Sequence, residues 1–160
     1  MSKPLSNKKD SPHHIGFIVD GNRRWAKEKD LPTFIGHKKG AERIEEIVKY
    51  AQDLGIKIVT IYAFSTENWK RAEKEVFFLM KLFEDFAISK MRDANKRGMK
   101  MRILGNLEKL PTSLQKVLKQ AMKLTENNQK MIVNVALNYG GRDELVRTFR
   151  KLVISKVKPK

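Results

Sequence analysis

A chain of 160 residues is long enough for one domain with a buried core, and 41 % hydrophobic residues in strong local periodicity make it a folded globular protein rather than a disordered one. It contains no cysteine, which excludes disulfide frameworks, thiolate zinc sites and cysteine nucleophiles. Thirty-four Lys and Arg against 18 Asp and Glu give a formal charge of +16, so an anionic partner is expected, drawn from nucleic acid, membrane head groups or small phosphorylated substrates.

Residues 1–12 form a polar leader without the apolar stretch of a signal peptide. The longest uninterrupted apolar run, Val76 to Met80, falls far short of the roughly 18 residues a membrane span needs. A cytoplasmic protein is expected, with peripheral membrane contact as an addition that the charge suggests. A single α/β domain is expected over residues 13–156, followed by a basic tail at 157–160.

Ile15 to Val19 reads as a buried strand that stops at Asp20-Gly21-Asn22-Arg23-Arg24-Trp25. No second strand follows the Asp-Gly pair, so a strand-to-helix turn fits better than a hairpin. Gly36-His37-Lys38-Lys39-Gly40 opens a helix whose apolar positions Ala41, Ile44, Ile47, Val48, Ala51 and Leu54 share one face, and Gly55 ends it. Ile58 to Phe64 is a second strand, β-branched and aromatic, ending in Ser65-Thr66-Glu67-Asn68-Trp69-Lys70-Arg71.

A helix from about Glu75 to Arg97 follows, with an apolar surface wider than one packing stripe requires, so it is either buried on two sides or also lines a cavity. Lys100 to Leu104 is a short strand. Pro111-Thr112-Ser113-Leu114-Gln115 carries a capping-box signature ahead of a helix through Leu124. Met131 to Leu137 is the fourth strand and ends in Asn138-Tyr139-Gly140-Gly141-Arg142, after which Asp143 can cap a last helix through Leu145, Val146, Phe149, Leu152 and Val153.

Alternating strands and helices predict an α/β fold, a mostly parallel sheet with helices on both faces. Ligands of such sheets sit outside the carboxyl ends of the strands, where the polar segments after Val19, Phe64 and Leu137 converge. Asp20 there is either a turn residue or a ligand for a hard cation such as Mg²⁺, which takes one or two carboxylates plus phosphate oxygens. Gly21 permits close backbone approach, and Arg24 offers a fork that matches phosphate. His37 either binds a phosphate oxygen or is a helix-capping or solvated histidine. Trp25, Phe64 and Trp69 interleave apolar faces with these groups, which suits a phosphate head on a hydrocarbon tail. Dinucleotide, P-loop, serine hydrolase and zinc protease signatures are all missing.

Together, the segments His14 to Ala26, Gly36 to Gly40, Ala63 to Arg71 and Asn138 to Arg142 resemble the cis-prenyltransferase family, which includes undecaprenyl diphosphate synthase. The resemblance implies Mg²⁺-dependent condensation of isopentenyl diphosphate with an allylic prenyl diphosphate, in a homodimer with an apolar tunnel for the growing chain. Carried over by position, Asp20 holds Mg²⁺ and the diphosphate, Gly21, Asn22, Arg23 and Arg24 cradle the allylic diphosphate, and Trp25 flanks it. His37 assists the leaving group, Ser65, Thr66, Glu67, Trp69 and Arg71 line the substrate site, and Asn68 is the candidate for the proton-transfer step. A neutral amide is a poor base, so Asn68 is better suited to orienting a diphosphate oxygen or a water.

The sequence departs from the family pattern in three places. Thr33 stands where an arginine is usual, and Ala72 where proline is usual. The arginine- and glutamate-bearing segment that serves isopentenyl diphosphate has no counterpart. The expectation is therefore a shortened family member, weak or inactive alone, paired with itself or with a complementing C-terminal chain. The alternatives are a non-catalytic prenyl-diphosphate-binding subunit and a basic nucleic-acid-binding α/β module. Nucleic acid is not the expected partner, because the four motifs have no role in that reading.

Overall fold

A computed structural model of the chain describes residues 11–155; most of the polar leader and the basic tail at 157–160 lie outside the described residues. The element order is β1 (His14–Ile18), α1 (Asn22–Glu28), α2 (Thr33–Asp53), β2 (Ile58–Ser65), a 3-10 turn (Thr66–Lys70), α3 (Glu73–Lys96), β3 (Met99–Leu104), a second 3-10 turn (Leu107–Lys109), α4 (Thr112–Leu124), β4 (Met131–Tyr139) and α5 (Gly141–Ser155). The four strands form one sheet in the order β1-β2-β4-β3, and every neighbouring pair is parallel. Parallel neighbours need crossover connections, and the intervening helices supply them.

Side chains alternate across a strand, so one set of residues faces one side of the sheet. Val59, Ile61, Met99, Met131 and Val133 belong to that set and pack with Val48 and Ala51 of α2. Farther along the strands, Phe64 and Leu137 pack with Leu79, Met80 and Ala87 of α3 and with Leu114, Val117 and Leu118 of α4. Each fully buried aliphatic side chain in these clusters contributes about 1.5–3 kcal/mol. The alternate set is polar at its centre: Thr60 Oγ1 lies 2.8 Å from His14 Nε2 and accepts from Asn134 Nδ2 at 3.0 Å.

Several local expectations change. Ile15 to Val19 was expected to be a buried strand, but β1 is an edge strand; Ile15, Phe17 and Val19 pack inward while Ile18 is 80 % exposed. A run of apolar residues cannot distinguish an edge from a central position, because strand order is set by long-range pairing. Helix α2 begins at Thr33 rather than at Gly36, so the two glycines lie within its first turns. The capping box expected at α4 is not formed: Pro111 occupies the cap, and Gln115 donates instead to the carbonyls of Leu110 (2.8 Å) and Glu108 (3.3 Å). Asp143 lies inside α5 and accepts from Arg147 Nε at 2.7 Å rather than capping the helix. The last helix forms as expected, and its apolar positions, Leu145, Phe149 and Val153 among them, are exposed. Among the described residues no helix is long and apolar enough to cross a membrane.

Candidate active site

The carboxyl ends of β1, β2 and β4 lie side by side, because the register pairs Ile18 with Tyr62 and Ser65 with Tyr139. Irregular pairing on either side of Phe64 shifts the end of β2 against β4. Such bulges re-aim side chains at strand ends. Phe64 turns into the core, edge-on to Trp69 and Phe83, while Ser65 starts the 3-10 turn.

The first strand end is shaped by two helices in close contact. Gly21 adopts φ 86°, the left-handed region that glycine enters without penalty, and turns the chain into α1. Helix α1 then lies against α2 so closely that a Cβ on Gly36 would sit 2.1 Å from the Asn22 carbonyl oxygen and 3.0 Å from Ala26 Cβ. A Cβ on Gly40 would meet the Asn22 side chain at 2.4–2.6 Å. The Gly-His-Lys-Lys-Gly spacing thus puts two glycines one helical turn apart beneath Asn22, with His37 between them, and fixes Asn22 and Arg23 over the start of α2.

Asp20 is 72 % exposed and accepts from Arg24 Nη2 at 3.2 Å. The Gly21 backbone N–H, followed by Arg24, holds its carboxyl below the ordinary value. His37 is buried, with Nε2 3.1 Å from Glu75 Oε1. Burial pushes its pKa down, against the opposing pull of Glu75. Arg71 Nη1 donates to the same Glu75 oxygen at 3.1 Å, and Arg23 Nε lies 3.9 Å from it. Glu67 is exposed, and its own backbone N–H, the Ser65 hydroxyl, Lys70 and Arg142 hold its carboxyl below the ordinary value.

Beneath these groups a cavity of about 560 Å³ runs between α2, α3 and the sheet. Asp20, Gly21, Asn22, Arg23, His37, Ser65, Glu67, Asn68 and Arg71 line it at the strand ends, and Ile44, Val48, Leu82, Phe83, Ile103 and Val135 supply apolar wall deeper in. Helix α3 therefore serves both readings of its wide apolar surface: Leu79 and Ala87 are core, whereas Leu82, Phe83 and Phe86 remain partly exposed toward the cavity.

Of the residues singled out in the sequence, Arg24, Trp25, Thr66 and Trp69 do not border the cavity. Arg24 pairs with Asp20 at its rim. Trp25 projects from α1 at 37 % exposure. Thr66 packs against Gly140, whose missing side chain makes room for it, since a Cβ there would lie 2.4 Å from Thr66 Oγ1. Trp69 donates from Nε1 to Asn138 Oδ1 at 2.8 Å, tying the second strand end to the fourth. Asn68 borders the cavity, but its Oδ1 accepts from the Ser65 backbone N–H at 3.0 Å and closes the 3-10 turn.

Sequence reasoning did not assign a site role to two residues that the site depends on. Glu75 gathers His37, Arg71 and Arg23, and its only sequence signal is the spacing of four from Arg71. Asn138, buried at φ 50°, accepts from Trp69 and donates to the Asn106 carbonyl at 2.8 Å, joining three loops. Among the described residues no group of three or more His, Cys, Asp or Glu is arranged to hold a metal ion by itself.

The prenyltransferase family model described as undecaprenyl diphosphate synthase matches residues 18–160. The isoprenyl transferase of Prochlorococcus marinus subsp. pastoris is 42 % identical over 162 residues, covering 97 % of this chain and 60 % of that protein. The isoprenyl transferase of Clostridium perfringens is 45 % identical over 142 residues, 89 % of this chain and 56 % of that one. Among solved structures, lavandulyl diphosphate synthase from Lavandula x intermedia, in complex with dimethylallyl diphosphate, superposes with a TM-score of 0.86 at 32 % identity, covering 92 % of this chain and 65 % of that one. The chain spans a little over half the length of the curated relatives it matches.

Proposed function

The chain belongs to the undecaprenyl diphosphate synthase family of prenyltransferases, and from that premise we propose that it binds an allylic prenyl diphosphate and condenses it with isopentenyl diphosphate. One observation carries the reading: the guanidiniums of Arg23 and Arg71, with the buried imidazole of His37, stand at the mouth of a largely apolar cavity. A cavity of about 560 Å³ with a largely apolar wall and basic groups at its strand-end mouth matches an amphipathic ligand with a charged head, and the charged residues farther along its lining, Glu45, Lys49, Lys90 and Asp93, are ion-paired with one another. The diphosphate sits among Asn22, Arg23, His37 and Arg71, and the hydrocarbon tail runs down between α2 and α3.

In the condensation the carbon–oxygen bond of the allylic diphosphate breaks, the isopentenyl double bond supplies the electrons for the new carbon–carbon bond, and a proton leaves the product carbon. The Arg23, His37 and Arg71 cluster stabilises the charge that builds on the departing diphosphate, which is the role best performed by groups fixed in advance. Asn68, anchored through Oδ1, keeps its amide N–H groups for orienting an oxygen rather than acting as a base. Asp20 is one exposed carboxylate, and Mg²⁺ is commonly held by one or two carboxylates plus substrate phosphate oxygens, so the donor set fits a cation that arrives with its diphosphate. When bound, Mg²⁺ neutralises diphosphate charge and improves the leaving group. A homodimer or a complementing chain is the proposed working assembly.

Titration of the 160-residue protein with farnesyl diphosphate, with and without Mg²⁺, tests the binding, and incubation with labelled isopentenyl diphosphate tests the condensation. Mg²⁺-enhanced binding that Asp20→Asn abolishes, with the fold unchanged, is expected. No binding of the prenyl diphosphate would refute the reading. Binding without condensation, restored by no second chain, would identify the non-catalytic binding subunit instead.

A further inference from the structure

Glu75 belongs to none of the four sequence motifs, yet one of its oxygens is the hub of the Arg23, His37 and Arg71 cluster. Oε1 lies 3.1 Å from His37 Nε2, 3.1 Å from Arg71 Nη1 and 3.9 Å from Arg23 Nε. These partners come from α2, the turn after β2 and α1, and Glu75 itself comes from the first turn of α3. The carboxylate is 15 % exposed, so its interactions act in a medium less screening than bulk water.

We propose that Glu75 is a positioning residue of the diphosphate seat, holding His37, Arg71 and Arg23 in their binding orientations before the ligand arrives. The inference rests on the reading of this site as a diphosphate seat and adds how the seat is built. A partly buried carboxylate beside an anion site repels the ligand and costs desolvation. Its presence there is consistent with function only if the order it imposes outweighs that repulsion. Arginine side chains lose rotamer freedom when fixed, a cost that a fixed partner meets before binding rather than during it.

Geometry assigns each partner its part. Arg71 has five N–H donors, and its bond to Glu75 uses Nη1, leaving others for the cavity that Arg71 lines. His37, buried in α2, has its ring direction set by the Nε2 contact. Arg23, the most distant and 59 % exposed, retains freedom to close on a ligand.

The test compares the unmodified chain with Glu75→Gln and Glu75→Leu, titrating inorganic pyrophosphate calorimetrically at fixed pH and salt. If Glu75 contributed only negative charge, both variants would bind pyrophosphate more tightly, and by similar factors. Positioning predicts the opposite order: Glu75→Leu weakens binding by about tenfold or more, and Glu75→Gln by less, because its amide oxygen still accepts from Arg71. Positioning also predicts that combining Glu75→Leu with Arg71→Ala costs less than the two single losses multiplied. Circular dichroism and urea midpoints establish that the variants fold, and the near-isosteric Glu75→Gln carries the test should Glu75→Leu not fold. Equal or tighter binding by Glu75→Gln, or fully multiplicative losses, would overturn the role of Glu75 while leaving the seat intact. Failure of the unmodified chain to bind pyrophosphate or a prenyl diphosphate would overturn the seat itself, and this role with it.

Discussion

Gly36→Ala pits two effects of opposite sign against each other. Gly36 lies within α2, where exchanging glycine for alanine in a free helix gains about 1 kcal/mol from backbone entropy. The new Cβ would lie 2.1 Å from the Asn22 carbonyl oxygen, against an ordinary contact of at least 3.4 Å, so α1 must retreat by 3.4 − 2.1 = 1.3 Å. Backbone cannot rotate away as the end of a flexible side chain can. Overpacking of this kind costs about 1–3 kcal/mol, occasionally more, and here it comes on top of the loss of contact around the fully buried Ala26. Steric displacement should therefore win, with a net destabilisation of about 1–2 kcal/mol, or roughly 2–8 °C in Tm for a domain of this size. The functional loss should be larger, because a shift of about 1 Å in a positioned group can lower turnover by about a hundredfold. Asn22 and Arg23 ride on the displaced helix. Urea denaturation gives the first quantity, and condensation with labelled isopentenyl diphosphate, alongside prenyl diphosphate titration, gives the second. A Gly36→Ala protein as stable as the parent, with unchanged affinity, would refute the argument that the glycine spacing seats α1.

Three other outcomes follow from single contacts. His37 is held by burial below its ordinary value of 6.5, so the unfolded chain takes up a proton there at a higher pH than the folded one. Its contribution is absent well above pH 6.5 and lowers stability as pH falls from there toward the folded value; the urea midpoint should drop less over pH 7.5 to 5.5 in His37→Gln, and equal slopes would refute it. Ala72 has φ −55° and ψ 137°, and Arg71 before it is extended at φ −69° and ψ 166°, which is the geometry a proline at 72 would impose. Ala72→Pro should therefore stabilise by about 0.4–1 kcal/mol in urea melts, and a loss of stability would show that the Ala72 N–H is needed. Trp69→Phe keeps an apolar ring beside Phe64 but removes the 2.8 Å bond to the buried Asn138 Oδ1, at a cost of about 1–3 kcal/mol; a change below about 0.5 kcal/mol would mean that the acceptor finds another partner.

Much of the site was legible because its chemistry is local. Asp20-Gly21 at the end of an apolar run, the Ser65-to-Arg71 segment and the Asn138-to-Arg142 segment each end a strand, and parallel strands bring such ends together whatever their order. The alternation of strand and helix patterns likewise fixes an α/β parallel sheet from sequence alone, since parallel pairing demands crossovers.

Only the tertiary structure decided the order β1-β2-β4-β3, which exposes Ile18 on an edge, because pairing energy depends on partners far apart in the chain. It decided that the glycines of Gly36-His37-Lys38-Lys39-Gly40 are spaced to admit Asn22 rather than to start a helix. It also drew Glu75 into the site. An exposed first-turn glutamate and a partly buried three-way hub look the same in sequence, and only the approach of α1, α2 and α3 to the ends of the strands separates them.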